Sequence, residues 1–358
     1  MKRGWMSIIV STVVSLALTA AGCSSESSGS GQTESGLDKE LNVFNWSEYL
    51  PESVIKKFEE KYGVKVNYSM FSSNEEMLAK LSAGGGVFDL SVASDYFIES
   101  MVKQDMIEPI DLNNIPNFKN YLPDFINKDF DPGNRYSVPY MGNTVSIGYN
   151  PDKITSEITS YDDLWKPEFK RQIVLVDDQR FIIGIVLKTL GYPGNDTDPA
   201  HLEEAKEKML KLMPNVKAFD SDSPKTLLIN GEVNIALVWG PEIALAQREK
   251  PQIKTALPKE GLMITMDNFV IPKGAKHKKT AEAFINFILE PEISAEISES
   301  FPYINPNGEA RKLIPKEVLD NIAIYPPAEE MSRVEGVKDV GDAIKLYDRI
   351  WSEVKSTQ

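Results

Sequence analysis

A short apolar run from Leu41 to Phe44 precedes Pro51. Val54, Ile55, Phe58 and Tyr62 then recur at three- and four-residue spacing until Gly63. This is one strand–loop–helix unit closed by a glycine. The unit recurs at once. Val64 to Met70 alternates apolar and polar residues, Ser73 and Glu76 have the spacing of a capping box, and a helix over Asn74 to Ala83 runs into Gly84-Gly85-Gly86. A third strand, Phe88 to Ala93, leads through a loop Ser94-Asp95-Tyr96 into more helix. The second half repeats the logic, with strand Ile173 to Val176, helix Phe181 to Leu190 and Gly191, and Asp198-Pro199 opening the next helix. Strand Asn234 to Trp239 follows, then strand Phe269 to Pro272 after Met263 to Asp267, then helix Thr280 to Leu289. Such alternation dictates an α/β fold with mainly parallel sheets flanked by helices, and no solenoid period is visible.

The pattern begins only after residue 37. Ahead of it stand Lys2 and Arg3, an apolar run from Met6 to Leu18, the small residues Ala20-Ala21-Gly22, the lone Cys23 and a Ser/Gly/Gln-rich stretch. The apolar run is too short for a stable membrane span, so residues 1–22 read as a signal peptide and the chain as exported. Residues 23–37 can bury almost nothing and read as a flexible tether. The whole chain is 42% hydrophobic and 26% charged, and what remains after residue 37 is long enough for a sizeable core divided into two lobes.

A net charge of −14 argues against nucleic acid, which needs clustered Lys and Arg. With only His201, His277 and Cys23 there is no zinc or copper ligand set, and His277 sits in a Lys-rich segment expected to be exposed. No calcium loop and no G-x-x-x-x-G-K-[ST] phosphate loop occurs, so no metal or cofactor is expected and any ATP hydrolysis belongs to a partner.

In sheets of this kind ligands gather beyond the carboxyl ends of the strands. Trp46, Glu48, Tyr49, Tyr96, Asp178, Trp239 and Asp267 stand at those ends, with Tyr303 in a Pro-rich loop. Carboxylates replace the hydration of an organic ammonium, and aromatic faces cover its methylenes and attract its charge. Each residue also has a plainer use: Asp178 as a helix cap, Glu48 as a first-turn charge, Asp267 in a turn at a strand start, and the aromatics as lobe-edge core.

Asn45-Trp46-Ser47-Glu48-Tyr49, Ser72-Ser73-Asn74-Glu75, Phe130-Asp131-Pro132-Gly133-Asn134, Asp162-Asp163-Leu164-Trp165-Lys166-Pro167 and Met266-Asp267-Asn268 resemble, in order, segments of the spermidine/putrescine-binding proteins of bacterial ABC importers. The resemblance runs from about Leu41 to the C-terminus. It implies the two-lobe, type II periplasmic-binding-protein fold, with residues 38–143 and 267–311 in the first lobe, 144–266 and 312–358 in the second, and a polyamine in the cleft between them. By motif it implies ligand contacts at Trp46, Ser47, Glu48, Tyr49, Tyr96, Asp178, Ser221, Trp239, Asp267 and Tyr303. It further implies an ABC permease and ATPase as partners and a monomeric binding protein. The residues before Cys23 resemble the lipobox of bacterial lipoproteins, which implies a diacylglyceryl group on Cys23 and a chain anchored outside the cytoplasm, on the cell membrane or in the periplasm.

Two positions depart from the family pattern. Phe181 stands where an acidic residue is usual three positions after Asp178, and Thr265 where an aromatic is usual two positions before Asp267. They leave open a different organic cation or amine in the same cleft. A carboxylate pair, Asp178 and Asp267, also leaves open a hydrolase using them as acid and base, and the fold alone leaves open a surface adhesin or sensory partner.

Overall fold

The computed structural model describes residue 33, residues 35–84 and residues 86–357. Residues 1–22, read as a signal peptide, together with Cys23 and most of the stretch read as a tether, lie outside the described residues. Among the described residues eleven strands form one curled sheet: β1 (Glu40–Trp46), β2 (Lys65–Phe71), β3 (Leu90–Ser94), β4 (Ile107–Glu108), β5 (Ser137–Tyr149), β6 (Ile173–Leu175), β7 (Val216–Phe219), β8 (Ile235–Trp239), β9 (Lys254–Ala256), β10 (Met263–Pro272) and β11 (Glu335–Gly336). Its main path runs β2-β1-β3-β10-β5-β8-β6-β7.

The sheet is parallel at each end, where β1 pairs with β2 and β3, and β6 with β7 and β8. In the middle it is antiparallel, because β10 opposes both β3 and β5, and β5 opposes β8. The expectation of mainly parallel pairing therefore holds only for the flanks. The two longest strands, β5 and β10, run from one hydrophobic core into the other. Val43, Phe58, Val92, Tyr140, Phe269 and Phe284 belong to one core, whereas Val145, Ile173, Leu187, Leu237, Met263 and Tyr347 belong to the second.

Local sequence signals explain the elements that reach the cleft. Helix α1 (Glu52–Tyr62) stops at Gly63, whose φ of 68° is a left-handed conformation that glycine adopts without a Cβ penalty. Helix α2 (Asn74–Ala83) is capped by Ser73, whose hydroxyl accepts from the Glu76 N–H at 3.1 Å, while the Glu76 carboxylate reaches back to the N–H of Ser72 instead of Ser73. The capping box is thus displaced by one residue.

Three expectations are corrected by strand length. β1 continues through Asn45 and Trp46, so the loop proper begins at Ser47. β3 ends at Ser94 and helix α3 (Asp95–Lys103) starts at once, so Ser94-Asp95-Tyr96 is a strand end and a helix start with no loop between them. Residues 263–272 form one strand, and Asp267 sits in its interior at an irregularity in the β5 register between Asp267 and Asn268. Thr265 and Asp267, two residues apart on the strand, both line the cavity, as side chains on one face of a strand do. His277 is half-buried against Asp89, its Nδ1 2.9 Å from the carboxylate, and not simply exposed.

Candidate ligand-binding cleft

A cavity of about 580 Å³ opens between the two cores, within the size range of small-molecule sites. Trp46, Ser47, Tyr49, Tyr96, Asp178, Ser221, Trp239, Asp267 and Tyr303 all line it, as do the two departures Phe181 and Thr265. Glu48 does not. Its backbone φ of 48° turns the chain after β1, and its carboxylate points to Lys225, with Nζ 2.6 Å from Oε2. Lys225 also holds the buried Glu242 at 3.1 Å. Glu48, expected to meet a ligand cation, here meets a protein cation through Oε2.

Asp267 anchors one end. Tyr49 donates its hydroxyl to Oδ2 at 2.5 Å and Ser94 donates to Oδ1 at 2.6 Å. Tyr49 is itself held edge-on by Tyr140 and Tyr303, with ring centroids 5.4 and 4.6 Å away. Burial pushes the Asp267 carboxyl up to about 6, against the lowering effect of these two hydrogen bonds. Behind it, Thr265 donates to Asp95 at 2.6 Å, and desolvation pushes Asp95 up to about 7.

Asp178 does both of the things its sequence context allows. It is the N-cap of helix α4 (Gln179–Thr189), accepting from the N–H groups of Arg180 and Phe181, and it lines the cavity. Desolvation, with the charge of Glu75 adding to it, pushes its carboxyl up to about 7. Phe181 is fully buried and packs edge-on against Trp239 at 4.9 Å, making an apolar wall beside Asp178. Trp239 ends β8 ahead of Gly240, where any Cβ would fall 1.8 Å from the Ala323 carbonyl oxygen, so only glycine lets the chain pass there.

The structure adds residues that the strand-end argument missed. Asp177, Asp220, Asp222, Glu75 and Asp348 join Asp178 and Asp267 around the cavity, and no Lys, Arg or His lines it among the described residues. Asp220 and Asp222 flank Ser221 in sequence, and Asp348 and Trp351 share a face of the helix Ile344–Lys355 at i, i+3 spacing, so both pairs had a readable signal. Gln179 and Asn143, neutral amides, had none. Asp177 is already paired with Lys355 at 2.7 Å. Hydrogen bonds cross the cleft from Ser47 and Ser72 to Asp222, at 2.6 and 3.2 Å, and from Gln179 to Glu75 at 3.3 Å.

Two α/β cores joined by crossing strands and closing on an acidic, aromatic-walled cleft define a two-lobed solute-binding protein. The family model of bacterial extracellular solute-binding proteins matches residues 53–325, and the chain belongs to that family. The spermidine/putrescine-binding periplasmic protein of Salmonella typhimurium is 42% identical over 318 residues, covering 88% of this chain and 91% of that protein. The solved structure of a putative spermidine/putrescine ABC transporter protein from Listeria monocytogenes is 36% identical and superposes with a TM-score of 0.87, covering 90% of this chain and all of that one. A lipoprotein of Treponema pallidum, 30% identical, superposes at 0.79 over 88% of this chain and 99% of its own. The family binds solutes and does not turn them over, so the acid–base reading of Asp178 and Asp267 falls.

Proposed function

We propose that this protein captures a polyamine of the spermidine/putrescine class in the cleft and delivers it to an ABC permease. One observation carries the reading: seven carboxylates line the cavity, only Asp177 of them with a lysine in contact, and no basic side chain is among the described residues that line it. A site of that sign pays a large electrostatic penalty unless a cation enters, and the aromatic walls favour one with an apolar stem. The names of the relatives support the same ligand class.

In this reading Asp267 with Tyr49 and Ser94 receives one ammonium, and Asp178 receives another. Trp46, Tyr96, Trp239 and Tyr303 cover the methylenes, and Ser47 and Ser221 add polar contacts at the edge. The lobes are residues 38–143 with 267–311 and 144–266 with 312–358, closing on the ligand as a monomer. Cys23 carries the lipid that holds the protein on the outer face of the membrane, and the ATPase is a separate subunit.

Isothermal titration with putrescine, cadaverine, spermidine and spermine tests this, on protein stripped of carried ligand by unfolding and refolding. Micromolar or tighter binding by any of the four is expected. Silence from all four overturns the polyamine reading and turns Phe181 and Thr265 into marks of a different organic cation.

A further inference from the structure

Two buried amide oxygens in the cavity wall have no hydrogen-bond partner among the described residues: Gln179 Oε1 and Asn143 Oδ1. Gln179 is 8% exposed and Asn143 6%. Buried acceptors are nearly always satisfied, so two orphaned acceptors on residues that line one cavity call for donors from whatever occupies it.

The orientation of Gln179 is fixed by its other end. Its Nε2 donates to Asp348 Oδ1 at 2.7 Å and to Glu75 Oε1 at 3.3 Å, which commits the amide nitrogen to two carboxylates and leaves the oxygen as the free acceptor. Asn143 stands on β5 in register with Thr265 of β10. Each orphan therefore accompanies one of the two departures from the family pattern. Gln179 lies two residues before Phe181 on the same helix start, and Asn143 lies opposite Thr265.

We propose, resting on the polyamine reading, that Asn143 and Gln179 are specificity-determining ligand contacts whose amide oxygens accept N–H groups of the bound amine. An ammonium or secondary ammonium is a pure donor, so it satisfies such acceptors, whereas an anionic ligand does not. The two departures take a carboxylate and an aromatic out of the cavity wall, and a neutral amide acceptor stands next to each of them. Each acceptor adds an N–H group that the ligand must supply, which favours a triamine over a diamine of the same class.

The test is titration of the stripped, intact protein with spermidine and with n-butylamine, comparing wild type with Asn143→Ala and Gln179→Met, and melting each in the absence of amine. Each substitution is expected to weaken spermidine binding at least fivefold and n-butylamine binding less than twofold. Removing an orphaned acceptor is expected to leave the Asn143→Ala protein melting at or above wild type. Asn143→Asp, which keeps an acceptor and charges it, is expected to restore or raise spermidine affinity. Unchanged spermidine affinity in both variants overturns the proposal, as does an equal loss for the two amines, which would make Gln179 only a bridge between lobes. A wild-type protein that binds no polyamine strikes the proposed function itself, and that result is read before any variant is made.

Discussion

Lys225 Nζ lies 2.6 Å from Glu48 and 3.1 Å from Glu242, so a single lysine neutralises two carboxylates from opposite sides of the cleft. Desolvation pushes the Glu242 carboxyl up to about 7 even with Lys225 beside it. Lys225→Met removes that partner, leaving a buried charge whose cost is about 3 kcal/mol when it is ionised. The destabilisation should be large at pH 8, where wild-type Glu242 is ionised beside the lysine, and small at pH 5.5, where it is already protonated and gains little from it. Thermal melts at the two pH values check this, and Lys225→Met with Glu242→Gln should recover most of the loss at pH 8. Equal destabilisation at both pH values would mean the lysine acts by packing alone.

Asp267→Asn is expected to weaken polyamine binding at least tenfold, the worth of about 1.5–3 kcal/mol for a hydrogen bond to a charged group. The free protein should melt close to wild type, because the Tyr49 and Ser94 hydroxyls that donate to Asp267 can each turn to accept from an amide. Titration and melting of the same preparation decide it. Unchanged affinity removes Asp267 from the site.

The strand–helix units were legible because each rests on local signals: the Gly63 stop, the Ser73 cap, the Asp198-Pro199 helix start. The antiparallel middle was not, since pairing of β10 with β3 and β5 depends on contacts more than a hundred residues apart in sequence. The same divide runs through the site. Tyr49, Asp178 and Asp267 stood out as charged or aromatic residues beside apolar runs. Glu48 looked identical in kind, yet it pairs with a lysine 177 residues away and does not line the cavity. Gln179 and Asn143 carry no charge and break no pattern, and only their unsatisfied oxygens in the folded chain mark them.

A glutamate at position 181 looks, from sequence, like a simple repair of the missing carboxylate. The structure argues otherwise. Phe181 is fully buried in the second core and packed on Trp239, so Phe181→Glu removes an aromatic from a filled site and buries an acid in its place. Large-to-small aromatic losses alone cost about 3–5 kcal/mol. The variant should melt well below wild type and show no gain in affinity for putrescine or spermidine. Denaturant melts and titration check both halves, and tighter binding would show that the cleft can present a carboxylate there.

Asp178 and Asp267, at about 7 and about 6, both sit above the ordinary aspartate value near 3.8 because the cleft desolvates them. A carboxyl raised on folding binds more protons in the native state than in the unfolded chain. Its contribution to stability is therefore fully present below about pH 4 and is lost as pH rises through about 6 to 7. Melting of the ligand-free protein should accordingly be helped, as far as these two groups decide it, on going from pH 7.5 to 5.5. Ligand binding runs the other way. A primary ammonium stays charged far above this range, as a lysine does with a pKa of about 10.4, so it pairs with the ionised carboxylates and must expel their protons at lower pH. Polyamine affinity should fall about tenfold or more from pH 7.5 to 5.5, with proton release near pH 6.5 seen as a dependence of the titration heat on buffer ionisation enthalpy. An affinity flat across this range, with no protons released, would mean that neither carboxylate meets the amine.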